Sequence, residues 1–248
     1  MKYTVDVITF CYNEMPILPW VVDYWKRFVR HAYVFDNGST DGSVEYLKSF
    51  DFITVMNTSY VTGDKLSDLF NMWVKNSLYK MLDSDFSYIC DMDECLWCDD
   101  IEGFLDRFRN SKYKAVRPFY CHMICESTPQ YQEGMLFHEY NKWCVPWDPK
   151  CLLFDNTKIN EIYFTPGAHE ARALKWTEVD TYPIGVYCFH LRYLSLDYII
   201  KRRDMYSVRL SELNKKMTWG AHLQYTDEQL KQEYDDMWGK KIEWDSLI

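Results

Sequence analysis

Short apolar runs alternate with segments of helical periodicity along the first part of the chain. Four runs rich in β-branched and aromatic residues predict buried strands at 5–10, 32–35, 52–56 and 86–90. Hydrophobic side chains recur at helical spacing between them, which predicts helices over 16–28, 43–50 and 65–82. Strands that alternate with helices are typical of a parallel sheet flanked by helices, so the pattern predicts an α/β fold.

Polar loops follow three of the predicted strands, at 11–14, 36–42 and 91–94. All three loops are rich in Asp, Asn and Glu. The carboxyl ends of parallel strands meet at one edge of a sheet, where ligands bind in α/β folds. The three loops are therefore predicted to form a single polar site.

Beyond residue 100 the alternation fades, and the pattern predicts a mixed second half. A helix is predicted over 101–111, and two more over 195–217 and 226–238. Short strands are predicted at 115–120, 134–138, 150–155, 161–165 and 185–190. Because no linker, repeat or low-complexity tract interrupts the 248 residues, we predict one domain over 1–248.

The composition excludes a disordered chain, since 48% of the residues are hydrophobic and 26% are charged. Aromatic residues reach 18%, which suits either an aromatic core or stacking platforms for sugar rings. The net charge is −9, which disfavours non-specific binding to nucleic acid. A local exception is 192–216, where seven basic and three acidic residues form a segment that favours a phosphate ligand or a solvated helix face.

The nine cysteines are an odd number at low density, which favours reduced thiols and a cytoplasmic location. The N-terminal segment is too short and too alternating for a signal peptide, and no apolar stretch is long enough for a transmembrane helix. Any membrane contact is therefore expected to be peripheral. Cys95, Cys98, Cys121 and Cys125 offer a four-thiolate zinc site as a competing interpretation, beside the simpler one of buried free thiols.

Asp91-Met92-Asp93 follows the fourth predicted strand. Residues at i and i+2 of an extended segment point to the same side, so the two carboxylates are predicted to share one site for a hard divalent cation. Such an ion neutralises a diphosphate leaving group as its bond breaks. The alternative is a turn whose carboxylates cap the next helix.

Three segments together resemble a known enzyme family. They are 9–14 (Thr-Phe-Cys-Tyr-Asn-Glu), 34–42 (Val-Phe-Asp-Asn-Gly-Ser-Thr-Asp-Gly) and 88–94 (Tyr-Ile-Cys-Asp-Met-Asp-Glu). In this order they resemble the family 2 glycosyltransferases, in the branch with an Asp-x-Asp-Glu metal motif. The resemblance extends more loosely to 150–154 and 189–198 and covers roughly 3–205. It implies the GT-A fold, with a nucleotide-sugar-binding half over 1–100, an acceptor-side half over 101–217 and a C-terminal helical tail over 218–248.

The resemblance also implies roles for individual residues. Asp91, Asp93 and His190 would hold Mn²⁺ or Mg²⁺, and imidazole suits Mn²⁺ better. The nucleotide sugar would contact residues of the three loops, the third helix and the basic segment, which are Phe10, Tyr12, Asn13, Glu14, Asp36, Asn37, Lys65, Asp68, Asp91, Met92, Asp93 and Arg192. The basic residues at 201–203 would help to hold the diphosphate.

An inverting transferase needs a general base for the acceptor hydroxyl. The candidates are Glu170, Asp148 and Glu139, with His169 as a further possible base or acceptor contact. Glu170 is preferred, but the family's usual Glu-Asp pair in this region is absent, which leaves the base open.

The sequence therefore predicts a metal-dependent, inverting transfer of a sugar from a UDP- or GDP-linked donor to a hydroxyl of a glycan or glycoconjugate. Aromatic residues of the second half are candidates for stacking on the acceptor, namely Tyr120, Tyr131, Trp143, Trp147 and Trp176. A nucleic-acid acceptor is disfavoured by the net charge. The alternatives are a non-catalytic carbohydrate-binding domain and a zinc-binding interaction domain.

Overall fold

The computed structural model describes residues 1–150, 152–159, 161–165, 171–173, 181–182 and 186–247. The first half contains β1 (Val5–Cys11), α1 (Leu18–Trp25), β2 (His31–Asp36), α2 (Ser43–Lys48), β3 (Ile53–Asn57), α3 (Ser59–Thr62), α4 (Asp68–Ser77), β4 (Phe86–Ile89) and β5 (Glu94–Trp97). A 3-10 turn over Leu78–Met81 follows α4.

The second half contains α5 (Ile101–Asn110), β6 (Ala115–Val116), β7 (Phe119–Ile124), α6 (Phe137–Tyr140), β8 (Trp143–Trp147), β9 (Leu153–Asp155), β10 (Ile162–Phe164), β11 (Ala171–Ala173), β12 (Thr181–Tyr182) and β13 (Tyr187–Tyr193). It closes with α7 (Leu196–Ser207), α8 (Glu212–Lys216), α9 (Asp227–Gly239) and β14 (Ile242–Glu243), and with 3-10 turns over Ala221–Gln224 and Trp244–Leu247.

A seven-stranded sheet has the order β12-β6-β9-β4-β1-β2-β3. Its strands β1 to β4 run parallel, with β1 between β2 and β4. On the other side of β4, β9 runs antiparallel to both β4 and β6. The α/β class, with a mainly parallel sheet flanked by helices and a mixed second half, is confirmed.

A second, five-stranded sheet has the order β14-β8-β7-β13-β5. In it β13 lies between β5, to which it is antiparallel, and β7, to which it is parallel. The chain passes directly from β4 of the first sheet to β5 of the second, so Asp91-Met92-Asp93 lies where the two sheets meet.

The helix α1 links the packing of the two sheets. Its Trp20, Tyr24 and Trp25 are almost fully buried, and Pro19 occupies its first turn, where the missing N–H costs nothing. The Tyr24 ring lies 6.4 Å from the Phe189 ring of β13. One continuous cluster of buried apolar residues includes side chains of both sheets.

The predicted division of the chain into a nucleotide-sugar-binding half, an acceptor-side half and a C-terminal tail stays a prediction.

Four predicted elements differ from the structure. The strand predicted at 115–120 is two strands, β6 and β7, which belong to different sheets. The strand predicted at 134–138 is wrong. Gly134 has a φ of 81°, which is not a strand conformation, and the short helix α6 follows it. At the start of α6 the Leu136 N–H donates to Glu139 Oε2 at 2.6 Å. The helix predicted over 195–217 is two helices, α7 and α8. Between them the Arg209 carbonyl accepts from the Leu66 N–H instead of continuing the helical hydrogen bonds. The helix predicted over 65–82 begins only after Ser67, whose hydroxyl accepts from the Phe70 N–H at 3.3 Å.

The pattern did not predict β5 or β8, which are short strands containing Cys, Trp and Pro.

No helix in the ranges given above is both long and apolar enough to cross a bilayer.

Candidate functional site

A cleft of about 1180 Å³ opens between the carboxyl ends of β1 and β4, the face of the second sheet, and α4 and α7. Pockets for drug-sized ligands measure roughly 300–1000 Å³, so the cleft is large enough for more than one sugar or nucleotide unit. Nine of the residues predicted for the site line it: Phe10, Glu14, Asp68, Asp91, Met92, Asp93, Asp148, His190 and Arg192.

Asp91 lies between two buried lysines. Lys75 Nζ donates to Asp91 Oδ1 at 2.8 Å, and Lys150 Nζ donates to Asp91 Oδ2 at 3.0 Å. Burial alone would raise the pKa of Asp91, but the Lys150 and Lys75 ammonium groups bring that pKa well below its usual range. Both oxygens of this carboxylate are therefore engaged by cations at the floor of the cleft.

Asp93 has a different set of partners from Asp91. Its Oδ2 lies 3.2 Å from His190 Nε2 and accepts from Arg202 Nη2 at 3.2 Å. His190 reaches Asp93 because β13 pairs with β5, whose first residue follows Asp93 directly. Burial opposes ionisation, yet His190 and Arg202 lower the pKa of Asp93 far below its usual range.

The tautomer of His190 follows from its other neighbours. The Tyr120 hydroxyl donates to Glu94 Oε1 at 2.6 Å, so the phenol proton is already used. His190 Nδ1, 2.8 Å from the same hydroxyl, must then carry the proton and donate it to the Tyr120 oxygen. Nε2 then either carries a second proton and donates to Asp93 Oδ2, or has a lone pair that a metal ion could accept. A metal-binding histidine has the same arrangement, because it donates its second ring N–H to a fixed acceptor.

Arg202 of α7 connects Asp93 with the loop after β1. Its Nη1 donates to Glu14 Oε2, and the Tyr206 hydroxyl donates to Glu14 Oε1 at 2.8 Å. Burial raises the pKa of Glu14 to about 7, against the lowering effect of Arg202. One helix thus holds both the first loop and the turn at Asp91–Asp93.

A smaller pocket lies beside the cleft at the carboxyl ends of β1 and β2. Phe10, Tyr12, Asn37 and Lys65 line it. The Arg209 guanidinium lies 3.1 Å from the centre of the Tyr12 ring and donates to Asn37 Oδ1 at 2.5 Å. These predicted nucleotide contacts therefore lie together beside the cleft.

Asp36 and Asn13 hold the loops in place. Asp36 is buried, and its Oδ2 accepts from the Gly38 N–H at 2.9 Å and the Ser39 N–H at 3.1 Å. Gly38 has a φ of 84°, a conformation that glycine adopts without strain. Asn13, at a φ of 52°, accepts from the Thr40 N–H at 2.7 Å through its Oδ1. Asp36 therefore fixes the second loop internally, and Asn13 joins the first loop to it.

The candidates for the general base divide into three groups. Asp148 lines the cleft, one residue after β8. Glu139 instead accepts from the Leu136 N–H at the start of α6. Glu170 and His169, and the aromatic candidate Trp176, lie outside the described residues.

The four thiols of the competing zinc interpretation do not converge on one point. Cys95, Cys98, Cys121 and Cys125 are each a buried free thiol. Among the residues that the structure describes, no group of three or more His, Cys, Asp or Glu side chains is arranged to hold a metal ion by itself.

Sequence reasoning missed Lys75. Its signal was its helical spacing from Asp68 and Met72, since residues at i, i+4 and i+7 share one face of a helix. All three residues line the cleft. The contact with Asp91 could not be predicted, because it joins a helix to a loop sixteen residues further along the chain.

No protein-family model matches the sequence, and no curated protein matches it. Several solved structures resemble the fold at low identity. Two are crystal structures of S. aureus TarS 1-349, one with UDP-GlcNAc (13% identity, TM-score 0.48, 86% of this chain and 69% of that chain) and one with UDP (12%, TM-score 0.46, 86% and 68%). Against a longer TarS structure the identity is 14% and the TM-score 0.46, with 82% of this chain covering 39% of that one.

Proposed function

We propose that the chain is a glycosyltransferase of the GT-A type and of family 2, which transfers a sugar from a nucleoside-diphosphate sugar to a hydroxyl of a glycan or glycoconjugate. The observation that carries this proposal is one cleft that is lined both by Asp93 and His190 and by the cations Lys75, Lys150 and Arg202. This arrangement has the ligands for a divalent ion and the positive charge for a diphosphate in one place. UDP or GDP is the expected leaving group.

Asp93 and His190 would hold Mn²⁺ or Mg²⁺, which makes the Asp-x-Asp motif a metal motif through its second carboxylate. The proton on His190 Nδ1, fixed by Tyr120, supports this assignment, because it leaves Nε2 free to act as a ligand. Asp91 has a different role, since both of its oxygens are engaged by lysines. When bound, the metal neutralises charge on the departing diphosphate.

The three cations provide the remaining charge for the diphosphate. Lys75 and Lys150 lie at the cleft floor, with side chains 5% and 10% exposed. Charge-assisted hydrogen bonds are stronger in such a partly desolvated site than at the surface. Lys75 also lies 5.6 Å from the centre of the Phe10 ring, next to the proposed nucleoside end. The diphosphate is therefore expected between Phe10 and Asp93.

The chemical step needs one more group. In an inverting transfer, a base takes the proton of the acceptor hydroxyl as its oxygen bonds to the anomeric carbon, and the bond to the nucleoside diphosphate breaks with its electron pair. Asp148 is the candidate that lines the cleft. Glu170 and His169 stay predictions.

A reducing, cytoplasmic compartment belongs to the proposal. It is supported by the eight described cysteines, each of which is a buried free thiol.

A thermal-shift experiment tests the function. UDP and GDP are added with and without Mn²⁺ to the wild type, to Asp93→Asn and to Asp99→Asn, an exposed carboxylate outside the cleft lining. A ligand raises the melting temperature according to its concentration relative to its Kd. We expect a shift that requires Mn²⁺, is lost in Asp93→Asn and is kept in Asp99→Asn. The absence of any nucleotide shift in the wild type would refute the proposal.

A further inference from the structure

Trp147 leaves half of a large apolar side chain exposed inside a polar cleft. The residue ends β8, lines the cleft and is 49% exposed. Tryptophan is usually highly buried, because its indole ring is the largest apolar side chain. An exposed indole on the wall of a binding cleft is therefore a surface on which a flat, partly apolar ligand can stack.

Neighbouring aromatic rings and two prolines hold the Trp147 ring in position. It contacts the His122 ring of β7, with centroids 4.9 Å apart. His122 is itself buried, and Tyr193 lies 5.4 Å from it on another side. Pro146 and Pro149 fix φ on either side of the Trp147–Asp148 pair. The exposed face is thus a rigid platform, which lowers the entropy that a ligand must overcome on binding.

The position of the platform relates it to the proposed donor site. His122 contacts both Trp147 and His190, since its ring centroid is 4.9 Å from the first and 4.8 Å from the second. One side chain therefore separates the platform from the residue that is proposed to face the metal and diphosphate. A ring stacked on Trp147 would lie beside the donor sugar.

The charges around the platform indicate a neutral ligand. Asp148 and Glu233 carry negative charge on the cleft lining, and Arg117, Lys150 and Arg192 carry positive charge there. Lys150 is paired with Asp91 and Glu94, and Arg117 is not free either. Arg192 already faces Glu233, with Nη2 3.6 Å from Oε1. Hydroxyl groups can donate to the carboxylates and accept from the cations, whereas an anionic sugar would meet carboxylates without enough unpaired positive charge.

We propose that Trp147 is the acceptor platform: a pyranose ring of a neutral saccharide stacks on it, with a hydroxyl directed towards Asp148. This inference rests on the proposed function, because it names the acceptor of that same site. It assigns the substrate class as a neutral saccharide, and it distinguishes Trp147 from the other exposed aromatic residues.

Saccharide binding is measured without donor, by saturation-transfer NMR with neutral methyl hexopyranosides and disaccharides and with methyl hexuronides. The variants are Trp147→Ala, Trp147→Phe and Trp143→Ala. Trp143 is the matched control, because it lies on the same strand and is 39% exposed but packs near Lys241 and is not part of the cleft lining. The UDP-dependent thermal shift is recorded for each protein in parallel.

We expect a neutral saccharide to bind the wild type and Trp143→Ala alike. Trp147→Ala should weaken this binding by about tenfold or more, and Trp147→Phe should restore most of it, because stacking needs an aromatic face. The UDP shift should be the same in all four proteins.

The inference is overturned if Trp147→Ala binds the saccharides as the wild type does, if uronides bind more tightly than neutral sugars, or if no saccharide binds the wild type. A wild type that binds saccharides through Trp147 but gives no nucleotide shift would support the platform and refute the transferase. The two proposals can therefore fail separately.

Discussion

Asp91 is paired with Lys75 and Lys150, and this pairing makes the proposed role of the two lysines in diphosphate binding testable. A bound diphosphate would compete with Asp91 for the same ammonium groups. The nucleoside part of the ligand would not depend on them. The lysines are thus expected to distinguish a nucleotide from its nucleoside.

Lys75→Met is expected to raise the Kd of UDP by about tenfold, the loss of roughly one charge-assisted hydrogen bond, and to leave the Kd of uridine unchanged. Calorimetric titration measures both constants. Lys80→Met is the control, since Lys80 is half-exposed and pairs with Glu161 outside the cleft. Equal weakening of UDP and uridine would mean that Lys75 only maintains the fold.

At the residue scale, the burial of His138 makes the free energy of unfolding depend on pH. Its ring is buried against Phe189 and Trp97, with centroids 4.7 and 4.5 Å away, and its Nδ1 lies 2.7 Å from the Tyr24 hydroxyl. Burial lowers the pKa of His138 to about 3. The unfolded chain takes up a proton near pH 6.5, whereas the folded chain does so only near pH 3. The stabilisation is therefore complete above pH 6.5 and is lost as the pH falls.

Between pH 7 and pH 5 this one group is expected to lower the free energy of unfolding by about 2 kcal/mol. Urea unfolding at the two pH values measures the change. In His138→Gln the difference between pH 7 and pH 5 should shrink by that amount, although the variant is less stable overall. An unchanged difference would show that His138 is protonated in the folded chain.

At the scale of elements, α7 is the helix on which the geometry of the cleft depends most, because it places Arg202 and Tyr206 against Glu14. Its start is fixed by Ser195, whose hydroxyl accepts from the Tyr198 N–H at 3.0 Å and lies 2.6 Å from Thr128 Oγ1. The helix is mainly polar, so this cap contributes much to its position.

Ser195→Ala is expected to lower the free energy of unfolding by about 1 kcal/mol, the usual cost of a lost N-cap. Ser49→Ala is the control, because Ser49 is exposed and donates only to the Tyr46 carbonyl. Urea unfolding compares the two variants. A loss in Ser195→Ala no larger than that in Ser49→Ala would contradict the importance of the cap.

The sequence predicted the elements well where the pattern was local. The four parallel strands and the turn at Asp91–Asp93 could be predicted, because each strand is a continuous apolar run followed by polar residues. The second sheet was harder to predict from the sequence, since β5 and β8 are short and pair with strands that are distant in sequence. The meeting of His190 with Asp93 depends on such a partner, so only the family resemblance indicated it.

At the scale of the whole molecule, buried side chains of both sheets form one cluster. We therefore expect a single cooperative unfolding transition, in which tryptophan fluorescence and far-UV circular dichroism give the same midpoint. Two separate midpoints would mean that the second sheet unfolds independently of the parallel sheet.

The three cations proposed for the diphosphate are already neutralised by the protein's own carboxylates: Lys75 and Lys150 by Asp91 and Glu94, and Arg202 by Asp93 and Glu14. An arriving diphosphate would therefore exchange one set of ion pairs for another, and few counterions would leave the protein. Binding of this kind depends weakly on ionic strength, unlike binding to an open basic surface. The cleft would thus keep its affinity at salt concentrations that weaken surface electrostatics.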